Sequence, residues 1–170
     1  MRTASCEIRP EEPGDRVAIR EVHRRAFGQD QEANIVDALR ANGAVLVSLV
    51  ATLGGEVVGH VVYSPATIGP IEGAALGPIA VTPEQQKRGI GGQLIEAGTR
   101  ILAATRCPFT IVLGHPAYYP RFGFVPARTR GISCEWDVPD EAFMVLSLDE
   151  GRMQGISGPA TYRHEFSTVP

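Results

Sequence analysis

The sequence predicts an α+β fold built on one mostly antiparallel sheet, and three observations carry that expectation. Two β-branched runs, Val45–Thr52 and Glu56–Ser64, flank Leu53-Gly54-Gly55, which is the pattern of a hairpin. A third run, Ala74–Val81, follows the Gly69-Pro70 turn and extends the hairpin into a meander. Before and after this block the apolar residues recur at helical spacing instead. Sequential strands with helices set outside them make an α+β chain.

The elements follow in order. Cys6-Glu7-Ile8-Arg9 reads as a short first strand, stopped by Pro10 and Pro13. Asp15 can cap a helix whose face is Ala18, Ile19, Val22 and Ala26, with Gly28 ending it. Asp30 can cap a second helix carrying Ile35, Val36 and Leu39, closed by Asn42-Gly43. After the meander, the stripe Ile90, Leu94, Ile95, Ile101 and Leu102 predicts a long helix from about Ile90 to Ala104. Thr110–Leu113 reads as a buried strand, followed by a short turn-rich helix and two more strands at Phe124-Val125 and Phe143–Leu148. The sum is about seven strands flanked by about four helices. Residues 150–170 are polar and turn-rich, a C-terminal extension either packed over the domain or frayed.

Composition narrows the functions. A chain of 170 residues, 44% hydrophobic and 21% charged, is one ordinary globular domain. A net charge of −3 argues against nucleic acid or an anionic membrane as the main partner. Cys6, Cys107 and Cys134 stand far apart, with no CxxC or HxxxH spacing, so no metal site is expected. Isolated thiols fit a reducing compartment, and a cytoplasmic location is expected. Met1–Arg9 lacks the apolar core of a secretory leader. The longest apolar stretch, Ala44–Leu53, is broken by Ser48 and Thr52 and is half of what a membrane span needs.

The chemistry concentrates in Ile79-Ala80-Val81-Thr82-Pro83-Glu84-Gln85-Gln86-Lys87-Arg88-Gly89-Ile90-Gly91-Gly92, where a strand ends and glycines open the long helix. The first amides of a helix have no partner within it and lie at the positive end of its dipole, which suits an anion such as a pyrophosphate. Lys87 and Arg88 add charge beside them. The string is not GxxxxGK[ST], and Gly89-Ile90-Gly91 continues to Leu94 where a dinucleotide fingerprint needs a third glycine. Gly77-Pro78 inside the preceding strand removes a ladder donor, so the strand either frees an amide for a ligand there or merely bends at a sheet edge.

Gln86-x-x-Gly89-x-Gly91 after Ile79-Ala80-Val81 resembles the cofactor motif of the GCN5-related N-acetyltransferase (GNAT) superfamily. Val112–Phe124, ending Tyr119-Pro120-Arg121-Phe122-Gly123-Phe124, resembles that family's fifth strand and the turn after it, in particular its YhbS-type subgroup. The resemblance covers residues 6–149 and implies a GNAT fold. It also implies transfer of an acetyl group from acetyl-CoA to an amine by direct attack on the thioester, without a metal. By the same resemblance, the pantetheine arm lies along Ile79, Ala80 and Val81. The pyrophosphate then lies on Gln86, Lys87, Arg88, Gly89, Ile90, Gly91 and Gly92, and Tyr119 is the acid for the leaving thiolate. The implied partner is a small-molecule or peptide amine, with the chain a monomer or homodimer. Glu72, His60 and His115 are possible bases, and none is assigned. The competing expectation is an acyl-CoA sensor or partner-binding module on the same fold, without turnover.

Overall fold

The computed structural model describes residues 5–168. Residues 1–4, where the reading of the N-terminus begins, and 169–170, the end of the expected extension, lie outside the described residues. Strand β1 (Cys6–Pro10) pairs antiparallel with β2 (Val47–Leu53), and helices α1 (Arg16–Phe27) and α2 (Gln31–Ala41) stand between them in sequence. Asp15 is the cap residue of α1, but its carboxylate turns back to accept from Arg9 Nη1 and Nη2 at 2.7 and 2.9 Å. It thereby ties the helix entry to β1. Gly28, at φ +70°, ends α1 in the left-handed turn the sequence leads one to expect.

Strands β2, β3 (Glu56–Ile68) and β4 (Ile71–Val81) form the expected antiparallel meander. β3 runs past Ser64, through Pro65, which lies beyond the end of β2 and opposite Ala74 of β4. Alternate side chains divide the sheet into two faces. Leu49, Ala51, Val61 and Tyr63 meet Leu94, Ile95 and Leu102 of α3 (Ile90–Ala104), while Val50 and Val62 meet Ile19, Ile35, Val36 and Leu39 of α1 and α2. The small residues of α3 permit close approach. A Cβ at Gly98 would run into the Tyr63 ring, whose hydroxyl donates to Ile95 O at 3.2 Å.

β5 (Phe109–Leu113) joins β4 in parallel, and β6 (Val125–Pro126), β7 (Ile132–Ser133) and β8 (Phe143–Ser147) follow. The sheet order is β1-β2-β3-β4-β5-β8-β6. The expected fourth helix is a single 3-10 turn, Tyr119–Phe122, since Pro120 cannot donate within it. The described part of the C-terminal segment is packed. It carries α4 (Glu150–Met153), β9 (Gly158–Thr161) and α5 (Glu165–Thr168). β9 pairs with Thr67 and Ile68 of β3, and Met153 and Ala160 fill a second core with Phe109, Ile111 and Val145. Among the described residues no helix is long and apolar enough to cross a membrane.

Candidate active site

The site begins where β4 loses one neighbour. Against β3, Ile79 stands opposite Val61 and Leu76 opposite Tyr63, so β4 carries one residue more than its partner across Gly77-Pro78. This is a bulge, and Gly77 takes it up at φ +124°. On the other side β4 meets β5 only at Ala74 and Ala75. From Leu76 to Val81 that edge has no strand partner among the described residues.

The loop after β4 is held from both ends. Thr82 N donates to Val58 O at 2.9 Å, and the Gln86 side-chain amide donates to Val81 O at 2.9 Å. Gln86 therefore shapes the loop with its side chain. Lys87 at φ +65° and Gly89 at φ +82° then bend the chain into α3. The first backbone bond made within α3 is from Gln93 N to Gly89 O, at 3.1 Å. The amides of Ile90, Gly91 and Gly92 point ahead of the helix, unused by it. A Cβ on Gly91 would lie 2.7 Å from Tyr118 Oη, and one on Gly92 would lie 3.0 Å from the Phe122 ring.

These elements enclose a cavity of about 1000 Å³. Of the residues expected at the site, Ile79, Ala80, Val81, Gln86, Lys87, Gly89, Ile90, Gly91 and Gly92 line it. Arg88 is exposed and off the wall. Tyr119 is also off the wall, at 7% exposure, with a Cβ at Gly114 only 2.5 Å from its ring and Phe124 edge-on at 5.7 Å. Burial raises its pKa, so the phenol keeps its proton.

The tyrosine on the wall is Tyr118, whose ring carries the Arg121 guanidinium 4.6 Å from its centroid. Burial raises the Tyr118 pKa and Arg121 opposes the rise. Phe122, Arg121 and His115 complete that wall, and Ala26 and Phe27 from the end of α1 form another. The Tyr118-Arg121-Phe122 group lies inside the motif that pointed to Tyr119, so its signal was present. Nothing in the local sequence marks Phe27. Of the candidate bases, His115 is on the wall, Glu72 is exposed away from it, and His60 is fully buried opposite Ala80. Among the described residues no group of three or more His, Cys, Asp or Glu side chains could hold a metal.

Comparison with known proteins agrees with this geometry. Residues 44–126 match the acetyltransferase (GNAT) domain model. The chain is 33% identical over 163 residues to the uncharacterized N-acetyltransferase YhbS of Escherichia coli K12, covering 94% of this chain and 98% of that protein. The crystal structure of E. coli YhbS in complex with CoA superposes with a TM-score of 0.94 at 31% identity, over 100% of this chain and 96% of that one. A GNAT acetyltransferase from Brucella melitensis in complex with acetyl-CoA superposes at 0.80 with 35% identity, over 96% and 99% of the two chains. Sequence, sheet topology and the glycine turn into α3 thus converge, and the chain belongs to the GNAT family of N-acetyltransferases.

Proposed function

We propose that this chain moves the acetyl group of acetyl-CoA to an amine by direct attack of the amine on the thioester. The observation that carries the proposal is the unpaired edge of β4 running up to the unused amides of α3. An extended arm bearing amides can bond that edge at Ile79, Ala80 and Val81 as an added strand would. A pyrophosphate then meets the amides of Lys87 to Gly92, with Lys87 and Arg88 supplying charge. A side chain at Gly91 or Gly92 would crowd Tyr118 and Phe122 on the cavity wall. The amide of Ile79 or Ala80, released beside the Gly77-Pro78 bulge, polarises the thioester carbonyl, and one such fixed donor is worth about 3 kcal/mol.

Tyr119 protonates the departing thiolate in this proposal. It stands next to the cavity-lining Tyr118, with ring centroids 5.1 Å apart, and its ring crosses Gly114 just where β5 has parted from β4. The CoA in the E. coli YhbS crystal and the acetyl-CoA in the Brucella protein support the choice of donor. The acceptor is a small-molecule or peptide amine, met in the cytoplasm by a monomer or homodimer. Nucleic acid and membrane are not partners in this proposal.

The test is free-thiol release from acetyl-CoA with spermidine, tyramine and a peptide with a free alanyl N-terminus. Amine-dependent release is expected. Tight CoA binding with no release from any amine would make the protein a sensor, and no calorimetric heat with CoA would remove the cofactor site itself. Tyr119→Phe should lower kcat about a hundredfold with CoA affinity unchanged. An equal kcat would take the acid role from Tyr119.

A further inference from the structure

Behind the open half of β4 lies a buried chain of polar side chains. Arg40 of α2 holds Glu11 with two donors, Nε to Oε2 at 3.0 Å and Nη2 to Oε1 at 2.7 Å. Burial pushes the Glu11 pKa up, but His60 close by and hydrogen bonds from Arg40 and Ser48 outweigh it and hold the carboxyl far below the usual range. An ionised carboxylate only accepts, so Ser48 Oγ donates its one proton to Glu11 Oε1, at 3.0 Å. His60 Nε2 lies 2.8 Å from Ser48 Oγ and must therefore be the donor in that contact. Its other nitrogen, Nδ1, then carries a lone pair, and His23 Nε2 donates to it across 2.8 Å. The chain ends on His23 Nδ1, which is left with a bare lone pair. That atom is buried and has no hydrogen-bond partner among the described residues.

The end of the chain lies against the cavity. Phe27, one turn beyond His23 on α1, stacks on its ring with centroids 6.1 Å apart and 6° between the planes. Phe27 and Ala26 line the cavity, and so does Ala80, which is the register partner of His60. For a proton to reach His23 Nδ1 from the cavity, one water must bridge the two.

We propose that His23, His60, Ser48 and Glu11 form a directed path that takes up the proton shed by the acceptor amine, a role that rests on the acetyl-transfer reading above. The step balances. The N–H bond of the attacking amine breaks and one forms at His23 Nδ1, while the Nε2–H of His23 passes to His60 Nδ1. His23 ends neutral, and the positive charge rests on His60, 3.6 Å from the Glu11 carboxylate. After product leaves, the proton returns to solvent by the reverse route. The charged groups facing the pair are Glu11, Asp15 and Arg40, with Asp15 held by Arg9 and Arg40 also by Asp37. Burial and Arg40 oppose the arriving charge, and the two carboxylates favour it. Burial, then His60 and Arg40, push His23 down to about 3, so the free chain holds it neutral with its Nδ1 lone pair unprotonated. In this scheme the cation forms on His60, beside Glu11, and not on His23.

Two measurements decide the proposal. Nitrogen-15 NMR of the histidines at pH 7 should show both His23 and His60 protonated on Nε2 alone, and a proton resting on His23 Nδ1 would overturn the path. The second is the pH profile of kcat/KM with whichever of spermidine, tyramine or the alanyl peptide turns over fastest. His60→Gln should lower kcat/KM at pH 7 about tenfold and recover toward the wild-type value near the amine's own pKa. An equal loss at every pH, or no loss, would overturn it. Should His60→Gln melt below the assay temperature, Ser48→Ala must move the profile the same way, or the path is refuted. A wild-type chain inert toward every amine would instead sink the acetyl-transfer reading, whereas an active one with unmoved profiles sinks only the path.

Discussion

The two halves of β4 teach how one strand serves both core and site. Around Ala74 and Ala75 it lies between β3 and β5 and is fully buried. Around Ile79, Ala80 and Val81 it keeps β3, loses β5 and lines a cavity. The backing differs as well. Pro65 and Ser64 stand opposite Ala74 and Ala75 of the closed half, and His60 stands opposite Ala80 of the open one. One surplus residue at Gly77-Pro78 separates the halves without ending the ladder to β3, so the open edge stays rigidly held while its hydrogen-bonding groups become available. Glycine also changes meaning between them. Gly73 has no room for a Cβ because the Phe109 ring would be 2.5 Å away, whereas a Cβ at Gly91 would meet only the tip of Tyr118.

Acid should break the open half first, and this is the largest effect expected. His23 has an ordinary pKa near 6.5 when unfolded and about 3 when folded, and burial, opposed in part by Glu11, lowers His60 in the same direction. Between those values the unfolded chain binds more protons, so stability falls as pH drops below 6.5, by up to about 1.4 kcal/mol per pH unit for each such group. Glu11 is depressed, so its contribution is present above the ordinary carboxyl pKa and is lost at lower pH still. Urea midpoints from pH 7 to pH 4 measure the slope, and amide exchange should show the His60–Ala80 pairs losing protection before Ala74–Thr110. A flat profile would mean the histidines are not held neutral. Next in size is Gly73→Val, which overpacks the closed half by about 1–3 kcal/mol and lowers Tm by several degrees. CoA affinity should be unchanged, and a loss of affinity would show that the halves are not independent.

Much of this contrast was legible in the sequence. The bounds of α3 follow from its apolar stripe, the meander from its turns, and an irregularity in β4 from a proline inside a strand, because each is a local signal. Nine of the ten expected cofactor residues line the cavity for the same reason, since a turn of consecutive residues travels as a unit. What escaped depends on contacts distant in sequence or on rotation about a single turn. His23 and His60 meet only because α1 packs on β3. β9 was hidden in a stretch holding Gly158 and Pro159, whose partner strand lies nearly a hundred residues earlier. Tyr118 and Tyr119 are neighbours whose directions are set by the 3-10 turn at Pro120, which gives one to the wall and the other to the core.

Two changes on the open side test what its glycines and tyrosines are for. Gly91→Val adds a branched side chain to the wall of the proposed phosphate site and should weaken CoA binding about tenfold or more in calorimetry. A modest fall in Tm is expected, because the new Cβ would lie 2.7 Å from the Tyr118 hydroxyl and the ring, packed on Arg121 and Phe122, must shift. A large fall in Tm with CoA affinity intact would make Gly91 a packing glycine like Gly73. The smallest effect is expected for Tyr118→Phe. Its hydroxyl lies over Gly91 on the cavity wall, and with the phosphates at Gly91 as proposed, its loss would remove one hydrogen bond of about 1 kcal/mol. CoA affinity should fall severalfold, with kcat preserved at saturating cofactor. The reverse pattern, with kcat lost in Tyr118→Phe and kept in Tyr119→Phe, would exchange the roles of the two phenols and place the thioester on the wall side of the pair.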